Sequence, residues 1–119
     1  TEAGAQKLIE DALAIQEAGA FAVVLECIPA KLADMITKKL DIPTIGIGAG
    51  AGCDGQILVY QDMLGLFSEY TPKFVKHFAE LGGAMKEAFQ AYDREVKAGS
   101  YPAPEHTFKI DDDVLEKLY

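Results

Sequence analysis

The most informative hydrophobic pattern in the chain is at residues 21–29, where five consecutive apolar residues lead into an acidic one, Glu26. A strand that is apolar at every position is buried on both faces, which is typical of a parallel sheet covered by helices. Because side chains alternate along a strand, Glu26 shares one face with Val24, while Leu25 faces the other way. Glu26 is therefore predicted at the carboxyl end of a buried parallel strand, where α/β proteins bind their ligands.

Helical and strand patterns alternate on both sides of this run. Apolar residues recur every three or four positions over residues 6–18, which predicts an amphipathic helix that ends at Gly19. A second helix is predicted from Pro29 to about Leu40. Residues 44–47 form a second short strand, and a glycine-rich loop at residues 48–55 follows it.

Residues 55–64 can be interpreted in two ways. Propensity favours a strand at residues 56–60, but that strand would begin only 12 positions after Thr44. A parallel crossover needs about a dozen residues between its strands. We therefore predict a short helix over residues 55–64 with Asp54 as its N-cap, and a third strand at residues 73–78. The alternative for that last segment is a helix that begins at Thr71 and Pro72.

The remaining chain is predicted to be mainly helical. An apolar stripe marks a long amphipathic helix that closes at Gly99; it comprises Met85, Ala88, Phe89, Tyr92 and Val96. A proline-rich stretch follows, and Asp111 to Asp113 are expected to cap a last short helix through Leu118. Strand and helix patterns that alternate in repeated βα units of about 20 to 30 residues indicate an α/β protein.

Three parallel strands with helices on one side would leave the inner face of the sheet uncovered. A complete (β/α)8 barrel takes about 250 residues, whereas this chain has 119. We therefore interpret the chain as part of such a barrel, whose missing half is its expected partner. The alternative is a smaller three-layer sheet that forms by itself.

Composition narrows the class of protein. A hydrophobic content of 50% excludes disorder. With 19 acidic and 11 basic side chains, a formal charge of -8 and no basic cluster, nucleic acid and anionic membranes are not expected partners. The sequence has neither a membrane-spanning apolar run nor the layout of a signal peptide. Two cysteines are too few for a disulfide framework, so we expect free thiols in a reducing cytoplasm.

Glu26 is the strongest candidate for chemistry. As a general base at the mouth of a barrel it would take a proton from carbon, and partial burial would tune the carboxylate for that task. Otherwise it is a strand-end acid bonded to backbone amides or paired with a lysine. The glycine-rich loop is either a phosphate-binding turn or a tight loop that allows close backbone approach, and we favour the second. Cys27 is expected to be a buried spectator thiol.

Several motifs resemble the ketopantoate hydroxymethyltransferase family. They are LECIP around Glu26, IPTIGIGAGAGCDGQILVYQDMLGL at residues 42–66, PKFVK from Pro72, and YPAPEHTF near the C-terminus. The resemblance extends from about Ala5 to Phe108. It implies that residues 1–108 are the C-terminal part of a (β/α)8 barrel of the phosphoenolpyruvate mutase superfamily, and that residues 109–119 are a separate tail.

The resemblance also implies a reaction. A hydroxymethyl group moves from 5,10-methylenetetrahydrofolate to 3-methyl-2-oxobutanoate with Mg2+, which gives 2-dehydropantoate in pantothenate biosynthesis. Glu26 matches the proton acceptor for C3, and Ile47 and Gly48 are expected near the substrate. The chemistry agrees, because a divalent metal chelated by a 2-oxo acid stabilises the enolate. The metal ligands would lie in the N-terminal half, so none is expected in this chain, and a large homo-oligomer is implied.

Two rival functions remain open at this point. The first is another lyase or mutase of the same superfamily that acts on a different oxoacid. The second is a non-catalytic module that docks on a partner through its uncovered sheet face.

Overall fold

The structure is a computed structural model that describes residues 1–66 and 69–119. It contains two compact units, Thr1–Glu80 and Leu81–Tyr119. The chain is an α/β protein with a small parallel sheet and helices. The predicted division of the chain at residue 108 stays a prediction.

The first unit follows the predicted alternation up to its second strand. Its elements are α1 (Glu2–Glu17), β1 (Val23–Glu26), α2 (Ala30–Lys39), β2 (Thr44–Ile47), β3 (Gly55–Gln56) and α3 (Tyr60–Met63). Helix α1 begins before residue 6 because the Thr1 hydroxyl accepts a hydrogen bond of 3.1 Å from the Gly4 N–H. The predicted stop is confirmed at Gly19, which adopts a φ of 94°.

The three strands are parallel, in the order β1, β2, β3. Leu25 of β1 is buried against the helices, in a cluster that also contains Ala12, Ala33, Ile36, Leu40 and Ala49. Val24, on the opposite face, is 54% exposed. The helices therefore cover one face of the sheet, and on the opposite face β1 is uncovered, since Val24 and Glu26 are both exposed.

The predicted helix at residues 55–64 is wrong over its first half. Gly55 and Gln56 form β3 beside Ile45 and Gly46, and only Tyr60–Met63 is helical. The crossover from β2 to β3 is shorter than we expected, because Gly48 and Gly50 take φ values of 66° and 80° and turn the chain without a helix. The alternative prediction is a strand at residues 56–60. Of these residues, only Gln56 belongs to the observed strand β3.

The predicted strand at residues 73–78 is also wrong, and so is the alternative helix from Thr71. The Val75 N–H donates to the Pro72 carbonyl at 3.0 Å, which makes a turn, and the Phe78 N–H donates to the Met63 carbonyl at 2.7 Å. Proline fixes φ near the value that a turn requires, and this local preference outweighs the weak apolar alternation.

The second unit contains α4 (Gly82–Ala98), a 3-10 turn (Pro104–His106) and α5 (Asp112–Glu116). Gly99 ends α4 in the left-handed conformation with a φ of 73°, as predicted. The ring of Tyr101 packs against Tyr92 with a centroid distance of 5.7 Å. Helix α5 is shorter than expected, and its N-cap Asp111 makes no side-chain cap bond. Among the described residues no helix is long and apolar enough to cross a membrane.

Candidate active site

The carboxyl edge of the sheet brings together the three site residues that the sequence predicts. Glu26 at the end of β1 lies beside Ile47 at the end of β2. The N–H of Cys27 extends this pairing by donating to the Ile47 carbonyl at 3.0 Å, and Gly48 is the next residue along. These residues therefore share one edge, where ligands of parallel sheets bind.

Glu26 is exposed on the open face of the sheet. Among the described residues its carboxylate makes no hydrogen bond and no ion pair, so the interpretation as a structurally bonded strand-end acid finds no support. The partial burial that we expected is absent, because the described residues leave this face uncovered. In the part of the chain that the structure describes, nothing covers this carboxylate.

Cys27 has an unusual backbone conformation directly after Glu26. Its φ is 53°, which places a residue with a side chain in the left-handed region at a cost of about 1–2 kcal/mol. The chain turns away from β1 here and enters α2 after Pro29. The thiol is exposed, so the expectation of a buried thiol is wrong, whereas the prediction that Cys27 and Cys53 are free is confirmed.

A cleft of about 900 Å³ opens beside this edge of the sheet. Its walls come from the segment after β1, the glycine-rich loop, β3 and the turn at residues 73–74; they include Cys27, Ala30, Gly48, Gly50, Lys73 and Phe74. The volume is within the range of small-molecule sites, about 300–1,000 Å³. Glu26 is not part of the wall, and Cys27, its neighbour in sequence, is.

The glycine-rich loop packs closely against its surroundings. A Cβ atom at Gly48 would lie 2.8 Å from the Phe74 ring, and one at Gly50 would lie 2.5 Å from the Cβ of Ala30. Both positions also have positive φ, so any other residue would be strained there. The loop is tight, as predicted, but it packs against Phe74 and Ala30. Its close approach to a substrate or a neighbouring strand stays a prediction.

Asp54 closes this loop onto the start of β2. Its carboxylate accepts a hydrogen bond of 2.8 Å from the N–H of Thr44, which is fully buried. The Thr44 hydroxyl accepts from the Asp54 N–H at 3.2 Å and shares a hydrogen bond of 2.8 Å with the Thr37 hydroxyl. Asp54 therefore anchors the loop, and the prediction that it caps a helix is wrong.

The described residues offer no group of three or more histidine, cysteine or acidic side chains that could hold a metal ion. Asp54, the acid in the described cleft wall, is already bonded to Thr44, and Glu26 has no second acid grouped with it there. The residues present do not fit a complete Mg2+ site.

Sequence reasoning missed the contact between Phe74 and Gly48 and the anchor between Asp54 and Thr44. The first contact joins residues 26 positions apart and has no local signature. The contact between Asp54 and Thr44 had one signal in the sequence. Asp54 directly precedes β3, and an acid in that position can accept a hydrogen bond from an unpaired N–H group at the start of the neighbouring strand β2.

Comparisons with known proteins agree on one family. A family model described as ketopantoate hydroxymethyltransferase matches residues 1–104. A relative from Clostridium novyi (strain NT), named 3-methyl-2-oxobutanoate hydroxymethyltransferase, is 70% identical over 118 residues, which are 99% of this chain and 43% of that protein. One of the same name from Enterococcus faecalis is 67% identical, over 97% of this chain and 42% of that protein. The chain thus spans about two fifths of the length of these curated relatives.

Proposed function

Because the chain belongs to the ketopantoate hydroxymethyltransferase family, we propose that it is part of an enzyme that transfers a hydroxymethyl group from 5,10-methylenetetrahydrofolate to 3-methyl-2-oxobutanoate. The product would be 2-dehydropantoate, a step in pantothenate biosynthesis. The observation that carries the proposal is the unpaired carboxylate of Glu26 at the carboxyl end of β1, beside Ile47 and Gly48.

The open sheet face supports a (β/α)8 barrel in the complete protein. Val24 is 54% exposed on the same face as Glu26, and apolar strand residues are normally covered. Further strands supplied by the rest of the protein would close the sheet into a ring and enclose Glu26. In the complete protein we also propose a large homo-oligomer in the cytoplasm, on the family resemblance.

In the proposed reaction Glu26 accepts the proton from C3 of the oxoacid. The electron pair that remains forms a new C–C bond to the methylene carbon, which loses both of its bonds to the folate nitrogens. Water supplies the hydroxyl oxygen in place of the second nitrogen, and the carrier nitrogens take up the C3 proton and one proton of the water. One water is consumed overall, since the carrier holds a methylene and the product holds a hydroxymethyl group. A general base in this position contributes on the order of 10²–10⁴-fold to the rate.

The resemblance implies a Mg2+ ion, but the described residues of this chain do not provide a complete set of ligands for it. No step here is therefore assigned to the metal. In the proposal the ligands come from the remainder of the protein.

The test uses a full-length enzyme that contains these residues. We expect condensation of 3-methyl-2-oxobutanoate to 2-dehydropantoate only when 5,10-methylenetetrahydrofolate is supplied. A superfamily lyase or mutase would act on its oxoacid without folate, and a non-catalytic module would give no turnover under either condition. Either of those results would refute the proposal.

A further inference from the structure

A second cleft, of about 370 Å³, adjoins the larger one. Gly48, Gln56 and Phe74 line both clefts. The larger cleft also includes Lys73, and the smaller one includes Lys76 and Phe78. Residues 73–78 therefore contribute to the walls of both clefts, and we call them the Lys-Phe segment.

The Lys-Phe segment is a cationic site in an acidic chain. The whole chain has a formal charge of -8, but this segment contains two lysines and no acidic residue. Three lysines elsewhere are paired with aspartates, namely Lys7, Lys38 and Lys97, and several others have no acidic partner among the described residues, but only Lys73 and Lys76 line the two clefts. Among the described residues Lys73 and Lys76 have no acidic partner, so both ammonium groups are available for the carboxylates of a ligand.

The same segment presents aromatic surface. The Phe74 ring lies against the backbone of Gly48 and remains 39% exposed, and Phe78 is 66% exposed. The Lys76 ammonium lies 5.0 Å from the centre of the Phe78 ring. Exposed phenylalanine rings offer edge or stacking contacts to an aromatic ligand.

We propose that the Lys-Phe segment binds the p-aminobenzoylglutamate part of the folate carrier, an inference that rests on the proposed function. Phe74 contacts the benzoyl ring, and Lys73 and Lys76 bind the glutamate carboxylates. A ligand that joins an aromatic ring to a chain of carboxylates matches the rings and unpaired ammonium groups of this segment.

The location suits a carrier that must deliver carbon to the oxoacid. Phe74 rests on Gly48, which follows Ile47, and Ile47 pairs with Glu26. A carrier held on this segment is therefore adjacent to the edge where Glu26 removes the proton. The Gln56 side chain donates to the Gly50 carbonyl at 2.8 Å, which fixes the loop between the two clefts.

The experiment compares Lys73→Gln, Lys76→Gln and the double variant in the full-length enzyme, with Lys86→Gln on α4 as the matched control. The KM for 5,10-methylenetetrahydrofolate is measured with one and with three glutamates. We expect the KM for the triglutamate form to rise about tenfold in each single variant and more in the double variant. The advantage of the triglutamate over the monoglutamate should be lost, while Lys86→Gln behaves as wild type.

Two further measurements separate binding from folding and from the proposed reaction. Exchange of the oxoacid C3 proton needs no folate, so it should persist in the lysine variants. Titration with p-aminobenzoyl-triglutamate should show binding that weakens in the double variant and in Phe74→Leu. An unchanged KM, or a loss of exchange parallel to the rise in KM, would overturn this inference. Absence of folate-dependent condensation in the wild type would instead refute the proposed function.

Discussion

The two units of the chain differ in what they bury. In Thr1–Glu80 the helices and strands share an apolar cluster, in which Ile36 is 1% exposed. In Leu81–Tyr119 the described helices contain no buried residue. The large apolar side chains on the stripe of α4 are between 41% and 66% exposed, namely Met85, Phe89, Tyr92 and Val96. An amphipathic helix gains most of its stability from packing. The first unit is therefore stabilised by its own contacts, whereas the second has the pattern of a packed helix without that burial.

The largest expected difference in stability between the two units comes from the same substitution, isoleucine to alanine, made once in each unit. Ile36→Ala should lower the free energy of unfolding by about 2–5 kcal/mol, because it opens a cavity in the cluster. Ile110→Ala, at a side chain that is 55% exposed, should change it by no more than about 0.5 kcal/mol. Chemical denaturation of the full-length protein measures both. Equal losses would show that the second unit is buried as deeply as the first.

A smaller difference in the free energy of unfolding is expected when one aspartate in each unit is replaced by alanine. Asp54→Ala leaves the buried N–H of Thr44 without its acceptor, which costs about 1–3 kcal/mol. Asp93→Ala removes only an exposed pair with Lys97, worth about 0–1 kcal/mol. If the two variants unfold at the same denaturant concentration, the Asp54 anchor does not contribute as described.

The smallest expected effects come from two glycines, and they have opposite signs. Gly48→Ala should destabilise by about 1–2 kcal/mol from its positive φ, with an added clash against Phe74. Gly83→Ala has open space around its Cβ and lies in α4, so it should stabilise by up to about 1 kcal/mol. Thermal unfolding of both variants measures these effects. A lower melting temperature in Gly83→Ala would contradict the claim that a Cβ atom at this position meets no other atom.

Much of the first unit could be predicted from local patterns. The strand Thr44–Ile47 has the predicted bounds, and the face assignment of Leu25 and Val24 holds, because both follow from apolar runs and side-chain alternation. The third strand differs from the prediction because the usual crossover length does not hold for a glycine-rich loop. That loop reverses the chain at Gly48 and Gly50.

The candidate site was only partly accessible from sequence. The position of Glu26 at a strand end follows from its apolar run, but its exposure depends on surfaces outside the described residues. The contact between Phe74 and Gly48 links distant positions, and the Lys-Phe segment was predicted as a strand. Long-range contacts of this kind leave no periodic pattern in a single sequence, so only the folded chain reveals them.

The most direct test of the account is exchange of the C3 proton of 3-methyl-2-oxobutanoate with deuterium, followed by NMR in the full-length enzyme without folate. Glu26→Gln keeps the shape of the side chain but removes the carboxylate that accepts the proton, and Glu17→Gln at the end of α1 is the control. The account predicts that Glu26→Gln slows exchange on the order of 10²–10⁴-fold while Glu17→Gln exchanges at the wild-type rate. Exchange at the wild-type rate in Glu26→Gln would contradict it.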